Sequence, residues 1–379
     1  MTKSTQPAKV LHCHSTFAAG GKELRAVTLM NAFGGEMEHT IVSGQPDQMG
    51  ARAYIARDVK AHFPDDFPSL TGWPTPWRLV EIAKAMQGFD LVLSYNWGAM
   101  DAVMAHTIFA EPLGLPPLIH HEDGFNEDES RELKSRRNWY RRVALWRTNK
   151  LVVPSRVLEG IALNIWQQPR DRVQRIPNGI DTKAFAAKPK PGAFRVVKRE
   201  GERWVGTLAG LRPVKQLDLL VKACAALPEN WHLVILGEGP EKETIRAAAD
   251  AAEISHRVHL PGAHANPAEI IGMFDIFALS SKSEQFPISV VEAMAAGLPV
   301  AAPDVGDVKD MVADINRGFI TTPNDAGALA AMMKDLAEDD ALRAEVGAAN
   351  RAKAREHYDL DKMVAAYRSL YWQAMARAV

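Results

Sequence analysis

The sequence predicts an α/β protein with two successive parallel-sheet domains, and three observations support this fold class. Short apolar runs typical of strands alternate with longer helix-like segments along most of the chain, which is the pattern of parallel α/β sheets. The alternation stops at a turn and a proline-rich loop within residues 180–200 and then starts again. With 379 residues, the chain is also longer than a single hydrophobic core usually supports.

The first half contains five predicted strands with helices between them. The strands are Lys9–His14, Thr40–Ser43, Asp90–Ser94, Pro117–His121 and Leu151–Pro154. Helices are predicted at Lys22–Phe33, at Arg78–Met86 after a rigid loop with Trp73, Pro74, Pro76 and Trp77, and from about Val157, where Ser155 supplies a cap. This alternation predicts a first domain over residues 1–180.

The second half repeats the alternation after the turn Ile176-Pro-Asn-Gly-Ile-Asp181 and the loop Lys188-Pro-Lys-Pro-Gly192. Its predicted strands are Trp204–Ala209, His232–Leu236, Val258–Leu260, Ile276–Leu279, Val300–Ala302 and Gly318–Ile320, and its first helices are Val214–Ala226 and Glu241–Ala252. This half predicts a second domain over residues 181–358. Two βα series of this kind indicate two Rossmann-like β/α/β domains that face each other across a cleft. Residues 359–379 are predicted to hold a helix, Asp361–Arg377, that crosses back to the first domain.

Composition narrows the class of protein. The 45 basic and 46 acidic residues nearly balance, so no nucleic-acid partner is expected. Only two cysteines occur, Cys13 and Cys224, and such sparse usage suits a reducing compartment. Residues 1–9 are polar and show no apolar signal region, and the most apolar run, Leu91–Ala110, carries polar residues and the texture of a strand followed by a helix. We therefore expect a cytoplasmic protein, with contact to the inner face of the cell membrane left open.

The segment from Ser283 to Val300 indicates a diphosphate site. It joins a predicted strand, a polar loop and a helix that starts at Pro287 as its first residue and stops at Gly297. That order places a helix N-terminus at the carboxyl end of a parallel strand. The free amides and the dipole of such a terminus favour a diphosphate, here at Phe286, Pro287, Ile288 and Ser289.

Two glutamates flank this terminus. Glu284 lies in the loop before the helix and Glu292 lies inside it. A carboxylate is poorly placed to bind phosphate but well placed to accept hydrogen bonds from the hydroxyls of a sugar and a ribose. The alternative is that Glu284 is surface charge and Glu292 pairs with a neighbouring base. The full context favours the functional interpretation.

This segment resembles the E-x₇-E region of the retaining family 4 glycosyltransferases of GT-B fold, the glycosyl transferases group 1. The resemblance covers nearly the whole chain and includes His121-Glu-Asp-Gly124, Ile176-Pro-Asn-Gly-Ile-Asp181, Leu211–Lys215, Leu236-Gly-Glu-Gly-Pro240 and Val258-His-Leu-Pro-Gly262 in the family's order. It implies that Glu284 contacts the transferred sugar and that Glu292 contacts the ribose. It also implies that the loop around Val258–Gly262 contacts the nucleobase, largely through its backbone.

The resemblance assigns three further residues in the first domain. Gly20 and Gly21 follow the first strand and match the family's Gly-Gly-x-Glu loop beside the diphosphate and the acceptor; glycine permits close approach to a ligand, although a tight turn would use the same residues. The run is not a G-x-G-x-x-G fingerprint, which argues against a dinucleotide oxidoreductase. His121 matches the family's histidine, whose ring or neighbouring backbone meets the donor sugar, whereas an isolated histidine at a strand end is more often structural.

The loop Gly210-Leu-Arg-Pro-Val-Lys215 matches the family's cationic loop, which neutralises the diphosphate leaving group. Lys215 occupies the lysine position. The position of the family's arginine, five residues earlier, holds Gly210, so Arg212 is the candidate substitute from a shifted position. A solvated basic loop is the alternative interpretation.

No metal site is predicted. Asp359-Leu-Asp361 precedes a helix and is better explained by capping than by metal binding, and no cluster has credible ligand spacing. The segment Lys134–Lys150 interleaves seven cations with Trp139, Tyr140 and Trp146. It is either a helix that lies on anionic lipid or a surface helix whose aromatic residues enter the core.

Together these patterns predict a retaining glycosyltransferase that moves a sugar from a nucleotide-diphosphate sugar, a UDP-sugar before a GDP- or ADP-sugar, to a saccharide or lipid-linked hydroxyl. Cell-envelope polysaccharide or glycolipid synthesis is the setting that the resemblance implies, and no cofactor is expected. A nucleotide-sugar epimerase or hydrolase on the same fold, or a non-catalytic nucleotide- or glycan-binding protein, is the alternative. The sequence carries no prediction of oligomeric state.

Overall fold

A computed structural model describes residues 6–125, 129 and 133–376 of the chain. The chain divides into two compact units. Unit 1 comprises Met1–Pro177 together with Met363–Val379, and unit 2 comprises Asn178–Lys362. The sequence places these divisions at 180/181 and 358/359. The last helix therefore belongs mainly to the unit that the N-terminal half of the chain builds.

Unit 1 is built on a seven-stranded parallel sheet in the order β3-β2-β1-β4-β5-β6-β7. Its strands are β1 Ala8–His14, β2 Met37–Ser43, β3 Ala61–His62, β4 Leu91–Tyr95, β5 Leu118–His121, β6 Lys150–Val153 and β7 Val173–Arg175. Its helices are α1 Gly21–Phe33, α2 Pro76–Ala85, α3 Met100–Leu113, α4 Ser135–Ala144, α5 Arg156–Asn164 and the final helix of the chain, α13 Leu360–Ala374, which begins in unit 2.

Side chains of the central strands of unit 1 alternate between two apolar layers, as the period of a strand requires. Leu11 and Cys13 face a core that α2, α3, α4 and α5 complete. His12 and His14 point to the opposite face, where α1 and α13 pack. The helices of unit 1 thus cover both faces of its sheet.

Unit 2 is built on a six-stranded parallel sheet in the order β10-β9-β8-β11-β12-β13. Its strands are β8 Arg203–Leu208, β9 Trp231–Leu236, β10 Val258–Gly262, β11 Ile276–Ala278, β12 Val300–Pro303 and β13 Ile320–Thr321. Its helices are α6 Thr182–Phe185, α7 Leu217–Ala225, α8 Lys242–Ala251, α9 Ile288–Ala296, α10 Val308–Met311, α11 Ala326–Glu338 and α12 Asp340–His357. One apolar cluster packs around α9 and a second packs around α7 and α11, on opposite faces of the sheet.

Several helix starts differ from the prediction, and three of these differences have a clear local reason. Helix α2 begins at Pro76, not Arg78, because Thr75 caps it and proline is tolerated at its first position. Helix α7 begins at Leu217, not Val214, because Gln216 has φ +45° and ends a short 3₁₀ turn at Pro213–Lys215. Helix α9 begins at Ile288, so that Pro287 is its cap residue rather than its first helical residue. The predicted end of the last helix, Arg377, lies outside the described residues.

Both cysteines are buried and free, and they lie in different units. Burial raises the pKa of the Cys13 thiol and of the Cys224 thiol to about 12. Neither thiol is therefore a thiolate near neutral pH, and both behave as small apolar core residues.

Candidate functional site

The strand order of unit 2 reverses between β8 and β11, and the loops that follow these two strands carry most of the predicted donor residues. In open parallel sheets, ligands bind outside the carboxyl ends of the strands at such a reversal. The two loops are tied to each other. The amide of Lys282 donates to the carbonyl of Val214 at 2.8 Å, and the Ser280 hydroxyl donates to the carbonyl of Lys215 at 2.8 Å.

Lys215 and Glu284 meet across these loops. The Lys215 Nζ donates to the Glu284 Oε1 at 2.5 Å, and the side chains are 24% and 12% exposed. The structure thus brings together a cation predicted for a diphosphate and a carboxylate predicted for a sugar. A ligand that carries both groups would exchange this ion pair for two intermolecular contacts.

Helix α9 begins directly behind this pair. Phe286 is buried and its ring packs edge-on against Tyr358, with ring centroids 5.6 Å apart. Pro287 is buried as well, while Ile288 and Ser289 are partly exposed. No side chain caps this terminus, and the first amides of a helix have no intrahelical acceptor. The buried pair therefore fixes the terminus, and the two following residues present its amides.

A residue that the sequence did not single out supports the loop before α9. Gly306 has φ +56°, and a Cβ at this position would lie 2.6 Å from the carbonyl oxygen of Glu284 and 2.7 Å from that of Gln285. The next amide, Asp307, donates to the Gln285 carbonyl at 3.1 Å. Only glycine fits this contact and this backbone conformation. The signal in the sequence is the turn-like run Pro303-Asp-Val-Gly306 at the end of β12, but the loop that Gly306 contacts lies about twenty residues earlier in the chain.

Glu292 lies one turn inside α9 with its carboxyl largely buried. Burial raises the pKa of Glu292 to about 7. Within the described part of the chain, this carboxyl has no hydrogen-bond or ion-pair partner. The alternative interpretation, in which Glu292 pairs with a neighbouring basic side chain, is therefore not supported. The carboxyl is therefore free to accept hydrogen bonds from a ligand.

Arg212 is exposed, and its side chain folds back over Gly210. A Cβ built on Gly210 would lie 3.6 Å from the Arg212 Nε. The guanidinium therefore occupies space that a side chain at position 210 would enter. The amide of Lys215 donates to the Arg212 carbonyl at 2.9 Å, which closes the loop that carries both cations.

A cavity of about 500 Å³ lies beside these loops, at the carboxyl ends of β9 and β10. It is lined by Ala193, Phe194, Arg195, Leu236, Glu238, Pro261, Gly262, Ala263, His264 and Ala265. Its walls are held by backbone contacts: the amide of Gly237 donates to the carbonyl of Gly262 at 3.1 Å, and a Cβ on Gly237 would clash with the Ala209 carbonyl at 1.8 Å. The sequence predicts only the 258–262 part of this lining. Phe194, Arg195 and His264 are additional, because three separate segments converge here.

In unit 1 the strand order reverses between β1 and β4, and the predicted glycines follow β1. Gly20 is the cap residue of α1, with φ −103°, and a Cβ on Gly21 would meet no atom within 4 Å. A Cβ on Gly20 would meet only the end of the flexible Glu23 side chain. Neither glycine is required by the backbone, so a tight turn does not explain the pair. The open space at Gly21 is what close approach of a ligand would need.

His121 ends β5 and its ring is buried, with 1% of the residue exposed. The ring nitrogens contact the Tyr371 hydroxyl at 2.9 Å and the Ser94 carbonyl at 3.2 Å. Burial lowers the pKa of His121 well below its usual value, and the nearby Arg25 cation adds to this effect. The ring is thus neutral and engaged within unit 1, so the backbone around it is the part available to a ligand. Its predicted role in orienting the donor stays a prediction.

His121 belongs to a buried cluster of aromatic and ionisable side chains. His12 contacts the Tyr95 hydroxyl at 3.1 Å and His39 at 3.0 Å, and His14 stacks on Tyr95 with ring centroids 4.0 Å apart. Neither ring nitrogen of His14 has a hydrogen-bond partner in the described parts of the structure. Beside the cluster, Arg25 forms a bidentate ion pair with Asp123, the residue two positions after His121. The sequence did not predict this cluster, since its members come from five separate elements.

The segment Lys134–Lys150 contains α4 and divides into two faces. Arg141 is fully buried, pairs with Glu129 at 3.1 Å and packs against the rings of Trp97, Phe125 and Trp166. Tyr140 donates to Asp101 at 2.7 Å. Trp139 and Trp146 are 64% and 62% exposed. The interpretation that the aromatic residues enter the core therefore holds for Tyr140, but not for the two tryptophans.

In the part of the chain that the structure describes, no group of three or more histidine, cysteine, aspartate or glutamate side chains is arranged to hold a metal ion. No helix of residues 6–125 and 133–376 combines the length and the apolar character needed to cross a membrane.

Comparisons with known proteins agree with this geometry. Residues 19–184 match the profile of Glycosyltransferase Family 4, and residues 193–353 match that of Glycosyl transferases group 1. The N-acetyl-alpha-D-glucosaminyl L-malate synthase of Bacillus anthracis is 26% identical over 211 residues, which is 55% of this chain and 55% of that protein. A GDP-mannose-dependent alpha-mannosyltransferase of Mycobacterium tuberculosis is 27% identical over 273 residues, 67% of this chain and 66% of that protein. The matches thus span from about half to two thirds of these relatives.

Structural similarity extends further than sequence similarity. The crystal structure of HepE from Anabaena in complex with UDP superposes with a TM-score of 0.79 over 96% of this chain and 99% of that chain, at 19% sequence identity. At this identity the similarity establishes the fold. With two adjoining family profiles, two parallel sheets and this neighbour, the chain belongs to the glycosyltransferases of group 1 and family 4, which have the GT-B fold.

Proposed function

We propose that this protein transfers a sugar from a nucleoside-diphosphate sugar to a hydroxyl group of a saccharide or lipid-linked acceptor, with retention of the anomeric configuration. The observation that carries the proposal is the ion pair of Lys215 and Glu284 at the strand reversal of unit 2, directly in front of the uncapped terminus of α9. This site offers a cation and free amides for a diphosphate, and a carboxylate for sugar hydroxyls.

The donor would lie along unit 2 in a fixed order. The diphosphate binds Lys215, Arg212 and the amides at Ile288 and Ser289, and the transferred sugar reaches Glu284. The ribose binds the unpartnered carboxyl of Glu292, and the base enters the cavity lined by Phe194 and Gly262. Every group of the donor then has a chemical counterpart in unit 2: in the loops after β8, β10 and β11, in helix α9, and in the segment before β8 that carries Phe194.

In this mechanism the protein supplies electrostatics and positioning, with no covalent nucleophile. As the bond between the sugar and the diphosphate breaks, negative charge grows on the diphosphate, and Lys215 with the α9 terminus stabilises it. The acceptor hydroxyl attacks the face that the diphosphate leaves, and an oxygen of the departing diphosphate takes the hydroxyl proton. Configuration is retained because entry and departure share one face.

Unit 1 would supply the acceptor side. Gly21 leaves open space at the start of α1, Gly20 beside it meets only the flexible Glu23 side chain, and the segment after His121 carries the buried ion pair of Asp123 with Arg25. We expect a UDP-sugar as the donor. Because one relative is GDP-mannose-dependent, guanine is the first base to compare with uracil. Two free cysteines favour a reducing compartment, the cytoplasm.

The test begins with binding. UDP, GDP and ADP, each alone and as its sugar, are screened for an increase in unfolding temperature, and about 2.7 kcal/mol of stabilisation is expected at a hundredfold excess over Kd. The matched control for a Lys215→Met variant is Lys222→Met, which removes a surface lysine that is 61% exposed in the same unit. Binding that survives Lys215→Met unchanged, or the absence of any stabilising nucleotide, would overturn the assignment.

The second step tests transfer. The stabilising donor is incubated with and without a saccharide acceptor, and the anomeric configuration of the product is read by NMR. Acceptor-dependent product with the donor's configuration supports the proposal. Free sugar released at the same rate without acceptor would identify a hydrolase, and an altered sugar would identify an epimerase.

A further inference from the structure

One surface of unit 1 is rich in exposed tryptophan and arginine side chains that have no role in the proposed sugar transfer. We propose that the exposed face of α4 and of the turn after it, together with the loop before α2 and the first turn of α2, is a surface that binds an anionic lipid bilayer. We call it the tryptophan-arginine face; its members are Trp73, Trp77, Arg136, Trp139, Arg142 and Trp146.

The face is a continuous stripe on α4. Arg136, Trp139 and Arg142 are exposed and lie three residues apart, and Trp146 follows four residues later in the turn after the helix. At 3.6 residues per turn these positions fall on one side of the helix. Arg141 and Ala144 lie on the other side and are fully buried. The segment therefore anchors one face in the core and presents alternating arginine and tryptophan outward.

The exposed aromatic area is unusual for a protein surface. Trp139 and Trp146 are 64% and 62% exposed, and Trp73 and Trp77 are 77% and 72% exposed. Burying such rings would be worth more than burying any other side chain, yet the fold leaves them in water. Tryptophan is enriched where a polypeptide meets the interface of a membrane, because its ring is apolar and its N–H is polar.

The α2 end of the face adjoins the α4 stripe. Asp101 accepts hydrogen bonds from both Arg78 and Tyr140. These residues directly follow Trp77 and Trp139 in the chain. Both helices also belong to the layer that covers one side of the sheet. The shared carboxylate therefore links the start of α2 to α4 within one helical layer, at the residues next to Trp77 and Trp139 in the chain.

The positive charge of this face indicates which kind of partner it binds. Within the described residues, the guanidinium groups of Arg136 and Arg142 have no acidic partner, whereas Arg137 and Arg141 on the buried side pair with Glu129. Unpaired arginines beside tryptophans attract anionic headgroups while the rings enter the interface. A second copy of the chain would bring the same cations to the contact and would not neutralise them. An anionic bilayer complements both the charge and the aromatic rings.

The test uses the full chain and vesicles of phosphatidylcholine, alone or with about a third of phosphatidylglycerol. Wild-type protein is expected to sediment with the anionic vesicles and not with the neutral ones. Arg136→Glu with Arg142→Glu, and separately Trp139→Ser with Trp146→Ser, should each lower the bound fraction by about tenfold or more. Brominated lipids should quench tryptophan fluorescence of the wild type and quench the second variant much less.

Two controls match these variants. Lys222→Glu with Arg246→Glu makes the same change in net charge at unit 2 residues that are 61% and 54% exposed, and Val197→Ser removes another exposed apolar side chain. Both should bind vesicles as the wild type does. Circular dichroism and nucleotide-induced stabilisation verify that each variant is folded, independently of lipid.

Three outcomes would overturn the inference. The first is a wild-type protein that binds neither vesicle. The second is vesicle binding that the control pair weakens as much as the arginine pair. The third is self-association in sedimentation velocity that the tryptophan variant abolishes in the absence of vesicle binding, which would assign the face to a second copy.

Discussion

Lys215 and Glu284 are each other's partners in the structure, with Nζ and Oε1 2.5 Å apart. They lie 69 positions apart in the chain, and the loops after β8 and β11 bring them together at the strand reversal of unit 2. Since one would serve the leaving group and the other the transferred sugar, their separate removal should have different consequences.

Lys215→Met should lower kcat by about 10²- to 10³-fold, because the charge that develops on the diphosphate loses its cation. It should also weaken binding of the free nucleoside diphosphate. Glu284→Gln should lower kcat as well, but the free diphosphate should bind at least as tightly as to wild type, because a competing carboxylate is gone. Steady-state kinetics and calorimetry measure both effects. Equal losses of diphosphate affinity in the two variants would contradict the assigned roles.

Donor binding should depend on pH through Glu292, whose pKa of about 7 is raised by burial. The ribose hydroxyls donate to the ionised carboxyl, so affinity should rise as the pH increases through 7, with a proton released on binding below that value. The raised pKa has the opposite effect on folding: the contribution of Glu292 to stability is present at low pH and is lost as the pH rises toward 7. Glu292→Gln should flatten the affinity profile between about pH 6 and 8. A variant that keeps the wild-type slope would exclude Glu292.

Unit 1 should lose stability in mild acid. Burial holds the pKa of His12, His14 and His121 well below 6.5 and that of His39 at about 4. Below pH 6.5 the unfolded chain therefore binds protons that the folded chain refuses, and stability falls as the pH falls, by up to about 1.4 kcal/mol per pH unit for each histidine. His14→Phe should reduce this slope, since its ring stacks on Tyr95 and its nitrogens have no partner in the described structure. Denaturant titrations at pH 7 and 5.5 measure the slope, and an unchanged slope would contradict the account.

The variant Gly21→Ala tests whether Gly21 is needed for ligand binding or for the stability of the fold. A Cβ at Gly21 meets nothing within 4 Å, so the free energy of unfolding should stay within about 0.5 kcal/mol of wild type. Transfer should nevertheless fall, because the methyl group enters the space proposed for substrate. Gly35→Ala is the control, since it also meets nothing within 4 Å and lies beyond the far end of α1. Transfer at the wild-type rate by Gly21→Ala would remove this loop from the site.

Two adjacent arginines in α4 should behave oppositely. Arg141→Leu leaves the buried Glu129 without one of its guanidinium partners and should cost about 3–5 kcal/mol. Arg142→Leu should change stability by less than about 0.5 kcal/mol, because that side chain is exposed. Urea denaturation of both variants measures the difference. Similar losses would show that the helix is rotated from the orientation described.

The sequence predicted the features that depend on local signals, namely helix ends marked by proline or glycine and the alternation of strands and helices. Proline at 287 and glycine at 297 bracket α9 to within one residue. The repeated strand–helix alternation predicted two parallel sheets, but it missed the short strands β3 and β7 of unit 1. Contacts between remote segments were not predictable. Gly306 is explained only by the carbonyl groups of residues 284 and 285 beneath it, and no local pattern shows that Gln216 takes a left-handed conformation that delays α7.

Composition alone also could not predict which of the arginines in α4 are buried and which are exposed. The run of arginines from 136 to 142 looks uniform in the sequence, yet Arg141 is buried and Arg142 is exposed. The division depends on where Glu129 and the rings of Trp97 and Trp166 lie. Those positions are set by the fold of unit 1 and not by the helix itself.

Because helix α13 is the last helix to be made, it determines the order in which the two units can be completed during synthesis. Tyr367 and Tyr371 cover His121 and Arg25 in unit 1, but they are translated after all of unit 2. At about 5–20 residues per second, the ribosome needs roughly 10–40 s to pass from the end of the first segment of unit 1 to this helix. Unit 2 is continuous in the chain and can close within that interval. The half that is made first is therefore the half that is completed last, because the His121 cluster gains its contacts with α13 only after unit 2 has been made.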